Sequence, residues 1–287
     1  NLAGLYLQEN KYPQAEALFI ESKNIREKIS GKESSEYAEA CINLAGLYQN
    51  QGKNTEAESL LVEAKNIFNK ILGNEHPKYA ISCENLAYLY KNQEKHTEAE
   101  SLLIEAKNIY EKRFGKQHPS YIASLNKLAI IYEIQGKYAQ AELLLLGSKN
   151  DIAKVLGKEH PDYAIFCNNL ASIYQSQGRY TEAEPLLVEA RNILKKTLGV
   201  QFLSYNTSCN NLANLYTILK KYAQAEPLFL EANKFFLNQI ERNFSNLSEK
   251  EKGQFYETFA HVLEVFNDFA VKRYKDNPFI SSEVYNN

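Results

Sequence analysis

Very little in this sequence points to a membrane, to nucleic acid or to catalysis. No run of about 18 apolar residues occurs, so no spanning helix is predicted. Neither charge sign is in excess, with Lys+Arg at 33 and Asp+Glu at 35. A balance this close to neutral gives no global electrostatic reason to bind nucleic acid or an anionic membrane. The motifs His-Glu-x-x-His and Gly-x-Ser-x-Gly are missing, and so is a phosphate-cradling glycine loop. Catalysis is therefore not expected within these 287 residues, and no cofactor and no metal site is predicted. Glycine (12) and proline (7) are scarce. The helix formers Ala, Leu, Glu, Lys and Gln dominate instead, so an all-α chain is the default. Methionine is absent and the chain opens on Asn1-Leu2-Ala3. The natural N-terminus is expected to lie upstream.

What is present is a strict period. Leu-Ala-x-x-Tyr begins at Leu2, Leu44, Leu86, Leu128, Leu170 and Leu212, each 42 residues after the last. Ala-Glu-x-Leu begins at Ala15, Ala57, Ala99, Ala141, Ala183 and Ala225, on the same period. Six hits of two phrases in one register define six helix-turn-helix repeats. Helix A of a unit is predicted over Ser35–Asn50, where Ala38, Cys41, Leu44, Ala45, Leu47 and Tyr48 make a helical stripe. Gly52, Gly136 and Gly178 are predicted to end A helices in the left-handed region; Asn10 substitutes acceptably, whereas Glu94 and Lys220 carry strain there. Helix B is predicted over about Glu56–Leu72. Thr55 with Glu58, Thr97 with Glu100 and Thr181 with Glu184 read as capping boxes, and Pro185 and Pro227 as first-turn prolines. One helix pair cannot bury its own stripe, so the pairs must stack.

The phrases Asn-Leu-Ala-x-Leu-Tyr-x-x-Gln-Gly-Lys, Glu-Ala-Glu-x-Leu-Leu-x-Glu-Ala and Leu-Gly-x-x-His-Pro-x-Tyr-Ala resemble the 42-residue tetratricopeptide repeats of kinesin light chains and their bacterial relatives. The resemblance implies a right-handed α-solenoid over residues 1–234, its A helices lining a concave groove that takes up a peptide or partner segment. Residues 235–287 depart from the repeat and are expected to form a C-terminal helical cap or connector. There, Ser248 and Glu251 read as a capping box, and Phe255, Phe259, Val262, Leu263, Phe266, Phe269 and Ala270 form an apolar helical face. This stretch resembles the connector between such repeats and a caspase-like CHAT domain in bacterial proteins. That resemblance implies a sensing arm for a peptidase lying outside this chain.

Cys41, Cys83, Cys167 and Cys209 share one register position, which Leu125 fills in the fourth unit. A position that accepts Cys or Leu is a buried apolar site. Helices packed about 10 Å apart are too distant for disulfides between units, and reduced thiols fit a cytoplasmic setting. His76, His118 and His160 share a loop position one unit apart and read as turn and capping residues; His96 and His261 are isolated.

Function is expected on the face of helix A turned away from helix B. It comprises Ile42, Asn43, Gly46 and Gln49; Glu84, Asn85, Tyr88 and Lys91; Asn126, Lys127, Ile130 and Glu133. It continues with Asn168, Asn169, Ser172 and Gln175, then Asn210, Asn211, Asn214 and Thr217. An amide both donates and accepts, so a row of Asn can clamp an extended peptide backbone. For Asn43, Asn85, Asn169 and Asn211 a scaffold role, bonding repeat to repeat, is the equal alternative. Tyr88, Lys91, Asn126, Lys127, Asn168, Asn210 and Asn214 are favoured as partner contacts, with Glu84 beside them. The spacing of Lys91 and Lys127 does not recreate the Lys-and-Asn clamp of chaperone-binding members of the family. The expected partner is a protein or extended peptide, not nucleic acid or membrane, and the chain is expected to be monomeric. The fourth unit also breaks its own pattern, with Gly147 for Glu, Ser148 for Ala and Asp151 for Ile, which predicts a loose helix or a contact point.

Overall fold

The computed structural model describes residues 2–8, 11–244, 252, 267 and 269–273. Twelve helices are assigned, and the described residues form two compact units, Asn1–Val155 and Leu156–Asn287. The first unit contains α1 (Leu2–Gln8), α2 (Tyr12–Ser30), α3 (Ser35–Asn50), α4 (Asn54–Leu72), α5 (Pro77–Asn92), α6 (His96–Phe114), α7 (Pro119–Ile134) and α8 (Tyr138–Val155). The second contains α9 (Pro161–Ser176), α10 (Tyr180–Thr197), α11 (Leu203–Ile218) and α12 (Tyr222–Phe244). Within each unit a helix packs chiefly on its neighbours in sequence, so odd-numbered A helices alternate with even-numbered B helices. No described helix is long and apolar enough to cross a membrane.

The alanines of the two repeated phrases explain this packing. Ala45 with Ala57, Ala129 with Ala141, and Ala213 with Ala225 have no exposed surface. A methyl at these positions lets A and B backbones approach closely, whereas each added methylene would have to displace a neighbour in a close-packed interior. The leucines beside them, Leu44, Leu47, Leu86 and Leu89, are buried and fill the space between pairs.

Helix ends follow the loop chemistry. Gly52 and Gly136 turn the chain at φ 70° and 72°, and Glu94 and Lys220 are forced to φ 61° and 58° at the equivalent positions. Asn10 lies outside the described residues. His76, His118 and His160 cap A helices, each Nδ1 accepting from the backbone N–H of Lys78, Ser120 or Asp162 at 3.1–3.2 Å. Pro77, Pro119 and Pro161 follow at the first helical position, where a missing N–H costs least.

Two expectations fail at the B helices. These helices begin two residues early, after Lys53, Lys95 and Arg179, and none of these residues provides a side-chain cap. Thr55, Thr97 and Thr181 therefore sit inside the first turn and form no capping box. Pro185 and Pro227 consequently lie within their helices, past the first turn, where each deprives a carbonyl one turn earlier of its donor. The glutamates of the supposed boxes reach forward to the next repeat. Glu58 accepts from Tyr90 Oη at 3.0 Å, from Gln93 Nε2 and from Lys95 Nζ. Glu100 accepts from Gln135 at 2.9 Å and Lys137 at 2.8 Å. Glu16 accepts from Gln51 and Lys53, and Glu184 from Lys221. Burial pushes the Glu58 and Glu100 carboxyls up, but these donors outweigh it and hold both below the usual range.

In the second unit α12 runs unbroken to Phe244. Phe269 is buried against it, its ring 5.0 Å from Phe229 and 6.2 Å from Tyr222, and Arg273 pairs with Glu226. The Ser248–Glu251 pair and most of the apolar face around Phe255 lie outside the described residues.

Candidate functional site

The four cysteines carry no site of their own. All four are buried, and none forms a disulfide. Each lies one turn after a buried tyrosine on its A helix and opposite a glutamate on the B helix. Tyr37, Tyr79 and Tyr163 donate to Glu63, Glu105 and Glu189 at 3.0–3.2 Å. The Cys83 and Cys167 sulfurs sit 3.8 and 3.7 Å from the same carboxylates. Burial first, and then the facing carboxylate, pushes the Cys41 thiol up to about 11 and Cys83 to about 12. A thiolate does not form there at neutral pH, and the thiolate is the reactive species.

The A helices of the first unit do form a concavity, of about 560 Å³. Helix α5 supplies Ile81, Glu84, Asn85, Tyr88 and Lys91; α7 supplies Lys127 and Ile130; α3 supplies Gln49, and Leu103 of α6 closes the floor. These side chains converge because α3, α5 and α7 present the same register of their helical stripe side by side. Five residues expected from the sequence therefore line one space: Glu84, Asn85, Tyr88, Lys91 and Lys127. Asn43 is exposed on α3 and Asn126 half-buried on α7, and neither lines it. Gln49 and Ile130 stood on the predicted face. Ile81 and Leu103 did not, although Ile81, one turn before Asn85, is an exposed apolar residue in a helix otherwise obeying the stripe.

The concavity is electrostatically organised. Lys127 Nζ pairs with Glu84 at 2.8 Å, and Tyr110 Oη donates to the same carboxylate oxygen at 3.3 Å. Burial and that carboxylate raise the Tyr110 hydroxyl, which stays a donor. The other Glu84 oxygen, Oε1, is buried without a partner among the described residues, and so is Gln49 Nε2. Tyr88 is 54 % exposed, and Lys91 Nζ lies 4.9 Å from its ring centroid. The site thus offers an exposed aromatic ring, an apolar floor, one orphaned acceptor and one orphaned donor.

The asparagines behave individually. Asn85 Nδ2 donates to the Ile81 carbonyl of its own helix at 2.9 Å, the contact made by a side chain bonding back one turn. In the second unit the Asn168 oxygen accepts from Ser208 at 3.2 Å, a link between successive A helices. Asn210 is buried with its Oδ1 unpartnered among the described residues. Asn169, Asn211 and Asn214 are half-buried on α9 and α11.

Comparison with known proteins agrees with this architecture. The tetratricopeptide repeat model matches residues 38–91, 83–146 and 162–235, and a second model of the same description matches residues 1–36. No curated protein matches the chain. Among solved structures, the nearly identical TPR-like repeats of a Podosopora anserina protein assigned as a kinesin light chain align at 31 % identity and TM-score 0.58, covering 73 % of this chain and 98 % of that one. BtubC (BKLC) from P. vanneervenii aligns at 20 % identity and TM-score 0.64, covering 83 % and 93 %. A Rap protein complexed with competence and sporulation factor aligns at 13 % identity and TM-score 0.61, covering 100 % and 95 %, and shares the fold. The chain belongs to the tetratricopeptide repeat family, with repeats resembling those of kinesin-light-chain-like structures.

Proposed function

We propose that this chain is a protein-interaction scaffold, not an enzyme, and that the concavity of α3, α5 and α7 takes an extended segment of a partner protein. The observation that carries this reading is the pair of orphaned buried atoms, Gln49 Nε2 and Glu84 Oε1, flanking an exposed Tyr88. A buried polar atom without a partner costs about 1–3 kcal/mol. A peptide backbone supplies both missing partners, a carbonyl for the amide and an N–H for the carboxylate. Tyr88 offers the rigid, amphipathic contact that dominates many interfaces, and Lys91 beside it favours an acceptor on the incoming chain. Asn43 and Asn126 in the first unit, and Asn169, Asn211 and Asn214 in the second, are proposed as further contacts. Asn168, bonded to Ser208, and Asn210, buried on α11, lie on the same face and are the second unit's further candidates. That a protein of the same fold was solved in complex with competence and sporulation factor supports ligand binding on such a scaffold. Reduced, buried thiols fit a reducing compartment, and we assign the chain to the cytoplasm on that ground.

The test is to select peptides from a random library on the 287-residue chain and measure their affinity by fluorescence anisotropy. Tyr88→Ala should weaken binding at least about tenfold, a loss of about 1.4 kcal/mol, and Lys91→Ala should weaken it less. Peptides that bind Tyr88→Ala as tightly as the parent chain would exclude this groove.

A further inference from the structure

The fourth repeat holds a second cavity, on another face of α7, and the other repeats show what is missing from it. Its volume is about 440 Å³, and its walls include Lys107 of α6, Tyr121 and Leu125 of α7, and Leu143 and Gly147 of α8. In the second, third and fifth repeats the residue in register with Gly147 is a glutamate, whose carboxylate accepts the hydroxyl proton of the tyrosine in register with Tyr121. The residue in register with Lys107 stands over that tyrosine in the second, third and sixth repeats, with Lys23, Lys65 or Arg191 at 5.2–5.6 Å from the ring. The fourth repeat keeps the tyrosine and the lysine and has lost the carboxylate.

The loss removes the acceptor that the tyrosine finds in those repeats. Tyr121 is only 8 % exposed, and its hydroxyl, with no carboxylate bonded to it among the described residues, lines the cavity. Lys107 and Lys116, both lining the cavity, share the single carboxylate of Glu111 at 3.4 Å each. Asp151, which also lines the cavity, pairs with Lys154 at 3.7 Å, and its charge still reaches the Tyr121 hydroxyl. With Lys107, Lys116 and Lys154 set against Glu111 and Asp151, one positive charge is in excess beside the Tyr121 hydroxyl. Ile104, Leu125, Leu128 and Leu144 make most of the remaining wall apolar, and the mouth has become so too. Leu143, 73 % exposed, stands where the second and third repeats have Ser59 and Ser101. A Cβ built on Gly147 meets nothing within 4 Å, so the vacated volume is open and not collapsed.

We propose that this cavity is a binding site for a small organic monocarboxylate. The ligand's carboxylate takes the place of the absent glutamate between Tyr121 and Lys107, and its hydrocarbon body lies along Leu125 and Leu143. The site is separate from the α3/α5/α7 groove and stands or falls independently of it. A charge-assisted hydrogen bond from the Tyr121 hydroxyl supplies orientation, and the apolar walls supply most of the affinity.

Hexanoate is the probe and 1-hexanol its uncharged control, titrated into the full chain and followed by amide chemical shifts and calorimetry. Hexanoate should bind saturably, with a dissociation constant on the order of millimolar for so few heavy atoms, and shift the amides of Gly147 and Ser148. Hexanol should bind at least fivefold more weakly. Gly147→Glu restores the side chain found elsewhere and should weaken hexanoate at least tenfold with an unchanged helical CD spectrum. Tyr121→Phe should weaken it severalfold. Equal binding of hexanoate and hexanol would overturn the proposal, and this contrast needs no variant. So would an unchanged affinity in folded Gly147→Glu, or no saturable binding of hexanoate.

Discussion

Glu94 provides an internal experiment on backbone strain. It ends α5 at φ 61°, whereas glycine occupies the same register position at Gly52 and Gly136, with φ 70° and 72°. An L side chain in the left-handed region costs roughly 1–2 kcal/mol. Glu94 is exposed and forms no ion pair among the described residues, so its side chain returns nothing against that cost. Glu94→Gly removes the strain but enlarges the unfolded ensemble, which costs roughly 0.4–1 kcal/mol. The difference leaves about 0.5–1 kcal/mol of net stabilisation. Repeat arrays open by segments, so hydrogen exchange at α5 and α6 reads the change where it arises. A gain of that size slows exchange about two- to fivefold in those helices, with α9 to α12 unaffected. Exchange in α5 that is unchanged or faster in Glu94→Gly would show that the left-handed turn carries no strain, and the argument would fail.

Three further outcomes follow from the packing and the charges. Ala129→Leu, at a fully buried contact with α8, should destabilise by about 1–3 kcal/mol through overpacking, measured as a lower urea midpoint. The Glu58 and Glu100 carboxyls titrate below their unfolded values. The stability they supply is therefore complete above about pH 4.5 and is lost as pH falls through the folded values. Hydrogen-exchange protection of α4 to α7 should drop between about pH 5 and 3, and in Glu58→Gln/Glu100→Gln that part of the drop should vanish. The four buried thiols should resist iodoacetamide at about pH 8 in the native chain and react fully in denaturant, whereas rapid native alkylation of Cys83 would contradict its burial and raised pKa.

The sequence made the helix pairs legible because an apolar stripe, a terminal glycine and a His-Pro start each act locally. Ser35–Asn50 was readable to the residue for that reason, and the alanines at closest approach announced themselves by period. The B-helix starts were not readable. Thr-x-x-Glu satisfies the pattern of a local cap, but Glu58 has better donors 32 to 37 residues ahead, and no local rule sees a partner that far along the chain. The concavity was half legible: Glu84, Asn85, Tyr88, Lys91 and Lys127, read from the face of helix A, line it. The bonding of the asparagines was not, because an amide is equally suited to a ligand, to its own helix and to the neighbouring repeat. Asn85 and Asn168 took the last two options, a choice set by neighbours in three dimensions. The orphaned atoms of Gln49 and Glu84 were invisible, since lack of a partner is not a property of one residue.

The forward-reaching glutamates have a consequence for how such a chain can change its length. Glu16 finds its amide and ammonium partners 35 and 37 residues ahead, and Glu100 finds its own at the same two intervals. The junction is specified by a counting rule and not by an address. A deletion or duplication of whole 42-residue units therefore keeps these intervals wherever the cut falls, whereas an indel of a few residues between a glutamate and its partners breaks one. Recombination between copies conserves the rule, so the chain can lengthen or shorten by whole units while a frame-preserving indel of a few residues between a glutamate and its partners costs that contact.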